Sequence, residues 1–184
     1  VDHIAMLPVL FRYGYRGPVY CTPPTRDLMT LLQMDYIKVS QAEGSDPPYS
    51  KADIQECIKH VVDIRWGVKT DIAPDVKITL ENAGHILGSS SVYMQIGEGN
   101  SEHRLLFSGD IKYEKSWLFD AATVRFQKVE TLVIESTYGG AQDFQPNRAD
   151  ATQELQDLIK LALSRGGKIF CPVFAVGRSQ EVMI

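Results

Sequence analysis

Two apolar runs in the middle of this chain stop at glycine, and each hands the backbone to one potential metal ligand. Residues 76–81 read as a strand and lead into Asn82-Ala83-Gly84-His85-Ile86-Leu87-Gly88-Ser89; Leu105-Leu106-Phe107 leads into Ser108-Gly109-Asp110. Glycine lets a backbone turn sharply and approach its neighbours closely, and element ends are where loops carry function on a rigid scaffold. A third pair, Asp2-His3, stands at the start of the chain. The three pieces read as parts of one metal site, of which this chain carries only a share.

The rest of the pattern surrounds these corners with both helices and strands. Residues 3–13 are apolar on all sides and read as a short buried helix in which Pro8 is tolerated only in the first turn or at a kink. Gly17-Pro18 breaks it, and Val19-Tyr20-Cys21 is a brief strand between breakers. A helix then starts at Thr22-Pro23-Pro24-Thr25, with Leu28, Leu31, Leu32, Asp35, Tyr36 and Val39 mostly at helical spacing. Ser50-Lys51-Ala52-Asp53 resembles a capping box for a helix to about Lys59. From residue 61 the period shifts toward alternation, and residues 61–66, 76–80, 92–96 and 104–107 are strand candidates, the last two joined by a hairpin loop at Gly97-Glu98-Gly99-Asn100. Residues 129–134 form another apolar strand, Asn147 caps a helix to about Arg165, and residues 168–173 read as a buried strand. The expectation is an α/β fold: a mixed sheet with helices outside it.

At 184 residues the chain can build one full core. No apolar run is long enough to span a bilayer. The chain begins without methionine and its last residues resemble the opening of a helix, so it is expected to be an internal piece of a longer protein. A net charge of −4 gives no support for a nucleic-acid surface of its own. Cys21, Cys57 and Cys171 lack paired spacing, which fits buried thiols in a reducing cytoplasm better than disulfides or a thiolate zinc site.

Asp2, His3, His85 and Asp110 are oxygen and nitrogen ligands of the kind that zinc and its neighbours accept, and without cysteine pairs they suit an open catalytic site. An aspartate can also bridge two ions. Each piece has a plainer reading: Asp2 as a helix cap, the glycine corners as ordinary turns, and Glu135 as a carboxylate that ends a strand. His60 and His103 lack the setting and read as surface residues.

Order and wording together say more. Asp2-His3, Ala83-Gly84-His85-Ile86-Leu87-Gly88-Ser89, Ser108-Gly109-Asp110 and Glu135-Ser136-Thr137-Tyr138-Gly139 closely resemble the successive motifs of the β-CASP branch of the metallo-β-lactamase superfamily. Leu7-Pro8-Val9-Leu10, Tyr20-Cys21-Thr22-Pro23-Pro24-Thr25 and Pro172-Val173-Phe174-Ala175-Val176-Gly177-Arg178 look most like archaeal relatives of the cleavage and polyadenylation specificity factor nuclease. The resemblance runs essentially from end to end.

It implies a partial metallo-β-lactamase αββα sandwich over residues 1–135, with the first strands outside the chain, and the beginning of a β-CASP domain over residues 136–184. By the family pattern, Asp2 and His3 bind a second zinc, His85 binds the first, and Asp110 bridges both. Asp2 would also orient the attacking water, and Glu135 would support the site from behind. Two further histidines are expected just before residue 1 and two beyond residue 184, so the isolated piece is expected to be inactive. Arg178 stands as a phosphate contact or a helix-start residue. The parent is then expected to be a cytoplasmic, zinc-dependent ribonuclease acting in mRNA 3′-end processing, transcription termination or RNA turnover. Its partner would be RNA, with no membrane, with room for a homodimer, and with an RNA-binding module such as KH domains upstream. Two rivals accompany this reading: a small-molecule metallo-hydrolase of the same superfamily, and a non-catalytic RNA-binding scaffold that has lost the metals.

Overall fold

The computed structural model describes residues 3–184, which fall into two compact units divided between Ile134 and Glu135. The fold is mixed α/β. In the first unit the elements run α1 (Leu7–Arg12), β1 (Val19–Cys21), α2 (Pro23–Ala42), α3 (Lys51–Lys59), β2 (Val61–Asp63), β3 (Thr70–Ala73), β4 (Val76–Asn82), β5 (Ser90–Ile96), β6 (His103–Phe107) and β7 (Thr131–Val133). β1 and β2 pair in parallel as a small sheet. The main sheet has the order β3-β4-β5-β6-β7, antiparallel until β7 joins β6 in parallel.

Local chemistry explains most of the boundaries. Pro8 falls in the first turn of α1, where no N–H is missed. Ser50 and Asp53 complete the expected capping box: the Asp53 N–H donates to Ser50 Oγ and the Ser50 N–H to Asp53 Oδ2. The hairpin between β5 and β6 closes through a 3₁₀ turn at Gly99–Ser101. Strand β3, which the sequence pattern did not suggest, pairs with β4 through a register irregularity between Asp71 and Ala73.

Burial falls differently from the periodicity of α2. Its buried side chains are Met29, Gln33, Ile37 and Ser40, while Leu31 and Val39 face outward. Phe11, Met29 and Cys57 form one core with Ile4, Leu7, Val19 and Val61 around it, and Ile37, Tyr49 and Ile54 form a second. Under the sheet, Ile64, Ile78 and Leu80 pack with Tyr20, Ile72, Val92 and Met94. His60 is not a surface residue: it is half-buried at the C-terminus of α3, with its ring 5.2 Å from that of Phe11. His103 is exposed, as expected, with Nε2 2.9 Å from Thr131 Oγ1.

The second unit holds α4 (Arg148–Ser164) and α5 (Arg178–Met183). Asn147 caps α4 by accepting from the Ala149 N–H at 2.8 Å. The Arg148 and Arg178 guanidiniums both meet the Glu181 carboxylate, which ties α5 to the start of α4. The strand expected at residues 168–173 does not form, and these residues are exposed. An apolar run announces burial, but a strand also needs a neighbour for its N–H and C=O groups, and none pairs with it among the described residues. Cys171 lies in this stretch and is exposed, contrary to the expectation of buried thiols; Cys57 is buried and Cys21 partly so.

Candidate metal centre

Asp110 is the meeting point of the candidate ligands. Its Oδ2 lies 3.2 Å from His3 Nε2 and 3.7 Å from His85 Nε2, so residues 107 positions apart in the sequence share one carboxylate oxygen. All three side chains remain about half exposed. Asp2 lies outside the described residues. Glu135 belongs to the second unit, where its Oε2 accepts from the Thr137 N–H at 3.4 Å.

The two corners are stitched together rather than merely adjacent. β4 and β5 bring the His85 loop and the start of β5 side by side, pairing Asn82 with Ser90. Inside the loop, Ser89 Oγ accepts from the backbone N–H groups of both His85 and Ile86, and the Ala83 N–H donates to the Ser89 carbonyl. Asn82 Oδ1 accepts from the Gly84 N–H at 2.9 Å. Before Asp110, Ser91 Oγ donates to the buried Ser108 carbonyl at 2.8 Å; after it, the Lys112 N–H donates to the Ala83 carbonyl at 2.8 Å. His3 is steadied through its neighbour, since the Ile4 carbonyl accepts from Gln33 Nε2 of α2 at 2.9 Å. Asn82, Ser89, Ser91 and Gln33 were not singled out as site residues from the sequence. The available signal was that short polar side chains beside glycine corners tend to bond nearby backbone.

Among the described residues, no group of three His, Cys, Asp or Glu side chains is gathered closely enough to hold an ion by itself. What His3, His85 and Asp110 present is two contacts through a common oxygen. Two donors each about 2.0–2.1 Å from a tetrahedral zinc stand roughly 3.3–3.4 Å apart. The His3 pair matches that separation and the His85 pair is slightly wider, so imidazole and carboxylate are present in suitable kind and spacing for part of a zinc shell. The same contacts without metal are ion pairs whenever the imidazoles are protonated.

The chain is similar along its whole length to transcription termination factors. It is 52% identical over 184 residues to the transcription termination factor FttA of Methanocaldococcus jannaschii, covering all of this chain and 29% of that protein. With the factor of the same name from Methanothermobacter thermautotrophicus the identity is 53%, and with that of Lokiarchaeum 49%, each over the full chain and 29% of the relative. The chain thus spans less than a third of the length of these relatives. No family model matches it. Among the described residues, no helix is long and apolar enough to cross a membrane.

Proposed function

We propose that the parent protein is a two-zinc ribonuclease of the β-CASP type acting in transcription termination, and that this chain contributes part of its metallo-β-lactamase core and the start of the β-CASP region. The observation that carries the reading is the convergence of His3 and His85 on Asp110. The relatives' shared name supports the setting, and cutting RNA at a phosphodiester is the chemistry that suits such a setting and this donor set.

In this reading His85 would hold one zinc, His3 with Asp2 would hold the other, and Asp110 would serve as a ligand shared between them. Bound zinc would supply acidification of a water and stabilisation of negative charge on the phosphate. The chain's own part is positional. The Ser89 and Asn82 side chains hold the loop that aims His85, and the Ser91–Ser108 bond fixes the strand end from which Asp110 projects. With a net charge of −4 this chain gives no basic surface for phosphate steering, which in this reading a further domain of the parent would supply.

The test is metal content and cleavage of single-stranded RNA by the full-length protein, with Asp110→Ala as the variant. Loss of both zinc and cleavage is expected. Retained cleavage would sink the mechanism. Hydrolysis of a small ester or lactam in place of RNA would favour a small-molecule hydrolase, and absence of zinc from the unmodified protein would favour a scaffold.

A further inference from the structure

The far end of the His85 loop carries a contact that the loop does not need for its own closure. Three hydroxyl oxygens lie within hydrogen-bond distance of the Gly88 carbonyl oxygen: Thr22 Oγ1 at 2.8 Å, Thr25 Oγ1 at 3.1 Å and Ser90 Oγ at 3.2 Å. Two of the three come from the first turn of α2, more than sixty residues earlier. Thr22 has an ordinary duty there, since it caps α2 by accepting from the Thr25 N–H. The Thr25 hydroxyl has no such duty: helix capping uses only its N–H. With the Thr22 proton on Gly88, the single Thr25 proton is shared between Thr22 Oγ1 at 2.8 Å and the Gly88 carbonyl at 3.1 Å, so Thr25 braces the Thr22–Gly88 bond.

Space confirms how closely loop and helix are joined. A Cβ at Gly88 would fall 2.8 Å from Thr22 Oγ1, 2.9 Å from Thr25 Oγ1 and 3.0 Å from Pro24 Cβ, so there is no slack between them. The loop is closed on itself by Ser89, which bonds His85, Ile86 and Ala83. A displacement of Gly88 relative to α2 is therefore passed to His85. The same helix, through Gln33, holds the residue after His3. We infer that Thr25, with Thr22, is a positioning residue that locks the His85 loop to α2 and so sets the place of the His85 imidazole relative to Asp110. The inference builds on the metal-site reading above but concerns residues outside the ligand set.

Thr25→Val in the full-length protein removes the hydroxyl while keeping the β-branched shape and the capped N–H; Thr25→Ser restores the hydroxyl. Two measurements decide. Amide hydrogen exchange of residues 83–89, followed without metal, is expected to quicken about five- to tenfold in Thr25→Val, with α2 unchanged and with Thr25→Ser near the unmodified rate. Zinc affinity, by competition with a chromophoric chelator, is expected to weaken about tenfold or more in Thr25→Val and to recover in Thr25→Ser. Unchanged loop exchange, equal loosening of α2, or a loosened loop with unaltered zinc affinity would each overturn the inference. If the unmodified protein binds no zinc, the metal reading fails, and the exchange measurement alone decides whether Thr25 locks the loop.

Discussion

Gly84→Ala should be among the most damaging single-methyl additions this chain can receive. Gly84 sits at φ +69°, in the left-handed region, where an L-residue costs about 1–2 kcal/mol. A Cβ there would also lie 2.6 Å from the Lys112 carbonyl oxygen, 2.7 Å from the Ala122 nitrogen and 2.9 Å from the Asp120 carbonyl oxygen. All three are backbone atoms, and the segment they belong to is itself bonded to the loop, with Lys112 donating to Ala83 and Ala122 to Lys112. Forcing it away adds roughly the 1–3 kcal/mol of an overpacked core. The total is about 2–5 kcal/mol. Gly44 provides the control, because it has a similar φ of +74° and nothing within 4 Å of its absent Cβ. Gly44→Ala should cost only the conformational part, about 1–2 kcal/mol. Urea unfolding followed by tryptophan fluorescence suits the comparison, since Trp66 and Trp117 both lie in the first unit. Trp66 Nε1 also donates to Ser90 Oγ beside the loop. If Gly84→Ala proved no worse than Gly44→Ala, the steric argument for the loop's packing would be refuted.

Acid should weaken the β6–β7 edge. Lys128 Nζ at 2.7 Å, together with the Arg104 N–H, holds the Glu130 carboxyl below its usual range, and the Gln95 amide does the same for Glu102. With folded pKa values depressed, the unfolded chain binds protons first. The stabilisation is present above the ordinary glutamate range and is lost as pH falls through the lowered values. The unfolding midpoint of Glu130→Gln should therefore vary less between about pH 5 and 3 than that of the unmodified protein, and parallel profiles would contradict the assignment. The thiols should separate in reactivity. Burial pushes Cys21 and Cys57 up to about 11, leaving roughly one part in a thousand as thiolate at pH 8, whereas Cys171 is exposed. An aromatic disulfide reagent should label Cys171 first and the other two only on unfolding; fast labelling of Cys57 in the folded state would show the packing of α3 to be wrong.

Features decided within a few residues could be recognised before any contact was known. Ser50 with Asp53 and Asn147 with Ala149 are helix starts because a side-chain oxygen reaches a free N–H two or three positions away. Features decided by distant neighbours could not. Leu31 and Val39 fit the apolar spacing of α2 as well as its buried residues do, but Gln33 is drawn inward by the Ile4 carbonyl, and the helix turns its Met29–Ile37 side to the core. β3 needed β4 to become a strand, and residues 168–173 show the converse.

The candidate site divides along the same line. The amino-acid order alone places His85 and Asp110 just beyond strands, at glycine corners, because chain direction and turn chemistry are local. That His3 reaches the same carboxylate oxygen, that Ser91 and Lys112 sew one corner to the other, and that Thr22 and Thr25 close on Gly88 depend on pairings across tens of residues. Those pairings exist only once sheet register and helix docking are set, since a hydrogen bond specifies a partner by position in space and not by distance along the chain.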